Sequence, residues 1–287
     1  MSTKVVLITG TNSGFGWLTA NSVAALGHKV YATMRDTQGK NADRAKALAQ
    51  VENITVLDVS LTDDISVKNA IDTILAKEGA LDVVVNNAGA TMFGVTESAT
   101  PADVQRIFDV NVIAPWRLMK LALPVMRKQS EGLIINVTSG FGRFSFPFSA
   151  VYGASKFALE GLSEGLHYEL RPLGVDVAIL QPGTFPTEMS QKVQLGSDAS
   201  VVDAYEVLTP YQNNMFGAIG QIFETVKPDP QDVADAVVKL INLPKGQRPL
   251  RTVVDPSTGE FIDRANDAVN IEYAKVLTAF GMEGLLA

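Results

Sequence analysis

Cysteine is absent from the 287 residues. That removes disulfides, thiol catalysis and thiolate-held metals, and it fits a reducing compartment, so a cytoplasmic location is expected. Histidine is nearly absent: His28 and His167 stand alone, too few for an imidazole-based metal site, and no metal is expected. Positive charge is in deficit, with 24 Lys and Arg against 31 Asp and Glu for a formal net charge of −7. A nucleic-acid partner is therefore not expected, since phosphate backbones are bound by cations. No run nears the ~18 apolar residues of a membrane span. The short apolar stretch 5–8 runs into glycine rather than a cleavage site, so neither a membrane span nor a secretory leader is expected. Glycine (23) and proline (13) occur at ordinary frequency, which excludes fibrous and low-complexity classes. What is left, 46% apolar and 19% charged, is a globular chain with ample length to bury a core.

Short β-branched runs alternate with helical periodicity along most of this chain. Strands are expected at 5–9, 30–34, 54–57, 81–85, 133–137, 175–180 and 250–255. Helices are expected at 14–26, 42–50, 101–110, 112–128, 151–170 and 230–243. A further helix, N-capped by Thr62 with Asp63 and Asp64 in its first turn, should end near Gly79. Near-continuous apolar strands imply a sheet covered on both faces, and strand–helix alternation implies parallel crossovers. The expected fold is α/β, a doubly wound, Rossmann-like parallel sheet of about seven strands with helices on both faces. Regularity lapses over 184–226, a length of weak patterning that points to a functional lid or a disordered segment. We take it as a substrate-side lid, and 257–287 as a helical C-terminal extension. No repeat or linker divides residues 1–287, which read as one domain.

Chemistry first shows at Thr9-Gly10-Thr11-Asn12-Ser13-Gly14-Phe15-Gly16, between the first strand and the first helix. Glycine permits a sharp turn and close approach of a diphosphate, and the helix N-terminus offers free N–H groups. The spacing G-x-x-x-G-x-G differs from G-x-G-x-x-G and lacks the Lys-Ser/Thr of a nucleoside-triphosphate loop. The end of the second strand reports on the dinucleotide: an acid there binds the NAD ribose, an arginine accommodates a 2′-phosphate. Met34 occupies the acid's place and Arg35 follows, which favours NADP(H). Asp36 keeps NAD(H) as the minority alternative, and a solvated Arg35 paired with Asp36 is the structural reading.

Tyr152 and Lys156 lie four residues apart, on one helical face. Alone, Y-x-x-x-K arises by chance about 0.3 times in such a chain, but this pair opens the helix after the fifth strand. Ser139 lies at that strand's C-terminal end, where ligands bind in open α/β sheets. At this point the chain resembles the tyrosine-dependent short-chain dehydrogenases/reductases. The resemblance runs from the first strand to about Met189 and takes in the glycine turn, Asp58-Val59, Asn86-Asn87-Ala88-Gly89, Asn111, Ser139, Tyr152, Lys156, Pro182-Gly183 and Thr187.

The resemblance implies interconversion of a carbonyl and its alcohol by hydride transfer. Tyr152 would be the acid/base, Ser139 the hydrogen-bond partner of the substrate oxygen, and Lys156 the ligand of the nicotinamide ribose. A nearby Lys156 ammonium is expected to lower the phenol of Tyr152 toward working pH. Asn111 would join a proton relay. From the residues themselves, Pro115 lies four positions on and has no N–H, so the Asn111 carbonyl is left free for water; an ordinary proline kink is the alternative. Asp58 would bond the adenine amine with Val59 against the ring, or Asp58 would only cap a turn. Asn86, Asn87, Ala88 and Gly89 would let backbone approach the cofactor, with Asn87 tying strands together. Pro182 and Gly183 would shape the turn under the nicotinamide, and Thr187 would reach its carboxamide. His167 is expected to pack rather than react.

Between Ser139 and Tyr152 stand Phe141, Phe144, Phe146 and Phe148. With Met92, Phe93 and the lid they are expected to wall an apolar pocket for a hydrophobic small molecule. They would serve equally as subunit or core anchors. A homodimer or homotetramer is what the resemblance implies, with helices 112–128 and 151–170 pairing between subunits. Two rivals remain: a nucleotide-sugar epimerase or dehydratase on the same scaffold, and a non-enzymatic NADP(H)-binding redox sensor.

Overall fold

The central strands are short, β-branched and buried on both faces, while the two edge strands are half-buried. The structure, a computed structural model, describes residues 2–286, the side chains of residues 190 and 191 excepted. The strands are β1 (Val5–Thr9), β2 (Lys29–Met34), β3 (Ile54–Asp58), β4 (Val83–Asn86), β5 (Gly132–Val137), β6 (Val175–Pro182) and β7 (Arg251–Val254). They form one seven-stranded sheet in the order β3-β2-β1-β4-β5-β6-β7, and every pairing is parallel. The order reverses between β1 and β4, the switch point at which open α/β sheets bind ligands beyond their strand C-termini. The doubly wound expectation holds.

The helices are α1 (Gly14–Ala25), α2 (Ala42–Ala49), α3 (Asp64–Glu78), α4 (Pro101–Phe108), α5 (Ala114–Gln129), α6 (Ala150–Leu170), α7 (Thr209–Thr225), α8 (Gln231–Asn242) and α9 (Gly259–Ala279). Strand alternation sorts the core into two layers. Val6 and Ile8 of β1 join a cluster with Val23 of α1, Leu48 of α2 and Val237 of α8. Val5 and Leu7 face the other way, onto Ile71 of α3, Met119 of α5 and Leu166 of α6.

Several boundaries differ from expectation. The N-cap of α3 is Asp63, not Thr62: its carboxylate accepts from Ile65 N and Ser66 N. A carboxylate at a helix N-terminus also meets the dipole, which a hydroxyl cannot do as well. The fourth strand runs one residue past the expected end, to Asn86, and begins at Val83 rather than 81. The proline at 115 does not break the helix. α4 and α5 are joined by a π-helical turn, Asp109–Ile113, which absorbs the missing N–H by widening the backbone spiral. The largest difference lies within 184–226, which holds 3₁₀ turns at Glu188–Lys192 and Ala199–Leu208 and then the whole of α7. No residue of α7 is fully buried, and Tyr211 and Phe216 are exposed. Met215, Ile219, Ile222 and Phe223 are half-buried at helical spacing, a stripe that the Asn, Gln and Gly residues between them obscure in the sequence.

Candidate active site

The glycine turn is built by collision avoidance. Gly10 sits at φ +69°, and a Cβ there would lie 2.8 Å from Ala88 Cα. A Cβ on Gly16 would lie 2.3 Å from the Gly10 carbonyl oxygen and 2.5 Å from Asn87 Nδ2. Asn87 fastens this crossing: its Nδ2 donates to Thr9 O at 2.8 Å and Gly10 O at 3.2 Å. Thr9 Oγ1 in turn accepts from the backbone N–H groups of Asn87 and Ala88, each at 3.0 Å. Asn86 belongs to a different layer, donating to buried Asn136 at 2.8 Å. Ser13 is the N-cap of α1 but makes no capping side-chain bond, and the first turn of α1 holds no acidic residue. The helix N-terminus thus carries no acid of its own, and the acid that reaches its cap is Glu188, bonded to Ser13 from the far side of the groove. Asn12 donates to Asn41, and Phe15 turns inward to meet Phe185 edge-on at 5.5 Å.

At the end of β2, Met34 is buried in the core and Arg35 is exposed. Asp36 curls onto its own loop, accepting from Lys40 N at 2.8 Å, and among the described residues it forms no ion pair with Arg35. Asp58 accepts from Asp36 N at 3.1 Å and from Thr37 N and Oγ1 at 2.8 Å each, chiefly the Thr37 backbone bond holding its carboxyl below the ordinary range. It braces the loop that carries Arg35, the turn-capping role. Val59 is buried and packs in the core with Val67 and Ile71.

The catalytic candidates converge from three elements: the turn after β5, α6 and the π turn. Ser139, after β5, caps a short 3₁₀ turn, Gly140–Gly142, through Phe141 N at 3.1 Å, and shares a hydrogen bond with the Tyr152 hydroxyl. Tyr152 and Lys156 rise from the first two turns of α6. The Tyr152 ring stacks on Phe93 at 6.4 Å and meets the edge of Phe141 at 6.3 Å. Lys156 Nζ lies 5.7 Å from that ring centre and donates to Val137 O at 3.0 Å. From the π turn, Asn111 accepts from Ala90 N at 2.8 Å and donates to Ala90 O and Ser155 Oγ, each at 2.9 Å. A Cβ on Gly89 would lie 3.4 Å from Asn111 Oδ1 and 3.7 Å from Lys156 Nζ. The bare backbone there opens a cradle beside both side chains.

Electrostatics in this cluster departs from expectation. Burial pushes the Tyr152 phenol up to about 12, opposed by the Ser139 bond, and pushes the Lys156 ammonium down to about 8, opposed by Glu160. Desolvation, not the lysine, governs the tyrosine here, because Lys156 pays the same burial penalty and its charge is aimed at Val137 O.

Beyond β6, Pro182 ends the strand, and Gly183 lies so close to Asp255 that a Cβ would fall 2.1 Å from its carboxyl carbon. Thr187 rests against Gly14, its Cβ 3.6 Å from where a Gly14 Cβ would stand. Glu188 hydrogen-bonds Ser13 and pairs with Arg44 of α2 at 3.0 Å, so the segment from 187 spans the groove between the glycine turn and α2. Further on, buried Asp103 of α4 receives Ser197 N and Oγ at 3.0 and 2.8 Å, tacking the start of 184–226 to the substrate side. Neither Arg44–Glu188 nor Asp103 was singled out from the sequence. The Thr-x-x-Asp capping box at 100–103 was a readable signal for Asp103, whereas the ion pair spans 144 residues and left none.

Phe141 and Phe146 stack face to face at 5.1 Å, while Phe144 and Phe146 are 44% and 41% exposed. Phe148 lines a cavity of about 10 Å³ with Met92 and Phe93, room for one water. His167 is buried against Val177 O at 2.9 Å. Among the described residues, no cluster of three or more His, Cys, Asp or Glu is placed to hold a metal, and no helix is long and apolar enough to cross a membrane.

The family described as short chain dehydrogenase matches residues 4–198. Human 17-beta-hydroxysteroid dehydrogenase type 1 is 36% identical over 252 residues, 85% of this chain and 76% of that protein. The 3-ketodihydrosphingosine reductase of Bacteroides thetaiotaomicron is 38% identical over 187 residues, 65% of this chain and 66% of that protein. A short-chain dehydrogenase structure from Streptomyces avermitilis superposes with a TM-score of 0.76 at 31% identity, covering 98% of both chains. Similar structures were solved with different dinucleotides. A metagenomic short-chain oxidoreductase holds NADP (TM-score 0.68, 26% identity, 90% of this chain and 99% of that one). A Burkholderia phymatum enzyme holds NAD (TM-score 0.75, 25% identity, 94% and 95%). With the glycine turn, the Asn87 clasp and the Ser139–Tyr152–Lys156 cluster in place, the chain belongs to the short-chain dehydrogenase/reductase family of oxidoreductases, with a nicotinamide dinucleotide as cofactor.

Proposed function

We propose that this protein is an NADP(H)-preferring carbonyl reductase/alcohol dehydrogenase acting on a hydrophobic ketone or aldehyde and its alcohol. The observation that carries the proposal is the convergence of Tyr152, Ser139, Lys156 and Asn111 around the bare backbone at Gly89. When bound, the nicotinamide supplies or accepts the hydride. A phenol with its pKa near 12 holds its proton at working pH, so Tyr152 is set to donate to a carbonyl oxygen as charge builds there. Ser139 steadies the same oxygen. Lys156, near 8, returns a proton to Tyr152 and bonds the nicotinamide ribose. The Asn111 side chain is fully bonded, which leaves its backbone carbonyl to hold the water that feeds Lys156.

Gly10, Asn12, Ser13, Gly14, Phe15 and Gly16 line the diphosphate path, and Asn87, Ala88 and Gly89 flank the nicotinamide side, with the buried Asn86 bracing the end of β4 behind them. Asp58 and Val59 border the adenine, and Pro182, Gly183 and Thr187 lie toward the carboxamide. The NADP(H) preference rests on Arg35, whose guanidinium has no carboxylate partner among the described residues, and on Asp36, whose carboxylate is spent on Lys40 N. The exposed faces of Phe144 and Phe146 support an apolar substrate, with 184–226 as lid and 257–287 as an extension of one domain. Exposed Ile113, Trp116 and Phe157 support pairing into a homodimer or homotetramer, in a cytoplasmic setting that the lack of cysteine suits.

The test is NADPH consumption, with NADH in parallel, across small aliphatic ketones, aryl ketones and steroid ketones. NADPH turnover on the bulky members is expected, and Tyr152→Phe should abolish it while leaving cofactor fluorescence binding intact. Binding without turnover on any carbonyl would overturn the reductase reading in favour of a dinucleotide sensor.

A further inference from the structure

Behind the catalytic loop lies a buried polar cluster that dinucleotide binding does not require. Glu160 stands one turn beyond Lys156 on α6 and is 4% exposed. Its Oε1 accepts from Thr138 Oγ1 at 2.7 Å and Gln181 Nε2 at 3.0 Å, and its Oε2 accepts from Arg251 Nε at 2.9 Å. The Arg251 side chain, from β7, is 3% exposed and also pairs with Glu164 at 3.2 Å. Gln181 Oε1 accepts from Asn266 Nδ2 on α9, and Asn266 Oδ1 accepts from Arg143 Nε, each at 2.8 Å. The bonds therefore run from Thr138, beside Ser139, through α6, β6 and α9, and return to Arg143 on the far side of the Ser139 turn.

Packing tightens the same loop. A Cβ on Gly140 would fall 2.5 Å from Ile262 Cδ1 of α9, and one on Gly142 would fall 2.9 Å from Glu160 Cγ. The Ser139 turn is thus gripped between Glu160 and α9. Buried ionic groups rarely improve stability over apolar residues of the same volume, so the placement of this cluster against the catalytic turn is the feature to explain.

We propose that Glu160 is a positioning residue for the Ser139–Tyr152–Lys156 site, and that α9, through Ile262 and Asn266, completes the clamp on the Ser139 turn. The inference deepens the reductase reading and rests on it. Glu160 fixes Thr138, and with it the end of β5 that carries both Ser139 and the Val137 carbonyl to which Lys156 donates. Its carboxylate is also the charge that supports the Lys156 ammonium against burial. The other charged and titratable groups around it are Arg251 from β7, Arg143 from the loop after β5, and Glu164 and His167 from α6. Tyr152 faces Lys156 from the preceding turn of α6. The two guanidiniums oppose the two carboxylates, and of these groups only Glu160 acts on Lys156.

Glu160→Gln keeps the size and the acceptor toward Thr138 and Gln181 but turns an amide N–H toward Arg251. The Lys156 ammonium can be followed directly by carbon NMR of the full chain labelled at lysine Cε, with Lys156→Gln assigning its signal. The parent midpoint is expected near 8, and Glu160→Gln should lower it. In the carbonyl panel, kcat should fall on the order of 10-fold, the scale of a misplaced catalytic group, with NADPH affinity unchanged. Asn266→Leu, which does not face Lys156, should leave the midpoint in place yet lower kcat by releasing Arg143 and the Ser139 turn. An unmoved midpoint in folded Glu160→Gln overturns the proposal. Unchanged kcat in Asn266→Leu overturns it too, and decides the matter should Glu160→Gln fail to fold. If the parent turns over no carbonyl, the reductase reading fails, while the NMR midpoint still decides the role of Glu160.

Discussion

Lys156→Met should make the protein inactive and, at neutral pH, more stable. Burial holds the ammonium near 8 against an ordinary 10.5, a difference that corresponds to about 3 kcal/mol of folding free energy at pH 7. Methionine removes that cost and fills the channel of the lysine stem, at the loss of the bond to Val137 O, about 1 kcal/mol. The net expectation is a gain of about 2 kcal/mol at pH 7. The gain must fade with pH, and its direction follows from proton counting. Between about 8 and 10.5 the unfolded lysine still binds a proton that the folded one has shed, so the parent's stability rises through this window while the Met variant's does not. By pH 9.5 the parent has recovered about 2 kcal/mol and the two should coincide. Tyr152, raised to about 12, lowers stability only above pH 10 and does so in both proteins, which keeps the comparison clean below that. Urea denaturation at pH 7 and 9.5 measures the gap. A less stable variant at pH 7, or a gap of equal size at both pH values, would refute the argument that a buried ammonium is held here against its own desolvation.

Two further outcomes follow from the cofactor groove. Arg35→Ala should cost NADPH about 1.5–3 kcal/mol, the range of a hydrogen bond to a charged group, and leave NADH nearly untouched; titration by cofactor fluorescence reads both, and equal losses would remove the 2′-phosphate assignment. Gly16→Ala forces a methyl to within 2.3 Å of the Gly10 carbonyl oxygen, so it should destabilise by about 1–3 kcal/mol and lower Tm. Gly217→Ala in α7, with nothing within 4 Å of its added carbon, should instead raise Tm slightly, since glycine is about 1 kcal/mol poorer than alanine inside a helix. A Gly16→Ala protein that melts and binds NADPH like its parent would contradict the crowded-turn geometry.

The sequence by itself determined whatever depends on neighbours along the chain. Runs such as Val5–Thr9 are buried on both faces and read as parallel strands, and the glycine spacing at 10, 14 and 16 dictates a turn that only bare backbone can make. Tyr152 and Lys156 share a face because four residues make one turn. Tertiary structure alone decided what depends on residues brought together from afar. Asp58 spends its carboxylate on the loop of Arg35, and the phenol of Tyr152 is raised because burial outweighs a lysine whose own charge is being suppressed. α7 only half-buries its stripe of Met215, Ile219, Ile222 and Phe223, and what that stripe rests on is set by tertiary packing rather than by the local pattern. The clamp of Glu160, Arg251 and Asn266 spans about a hundred residues of chain. No local pattern encodes it, because each member is polar where a core is expected, and each is acceptable there only once its distant partners are in place.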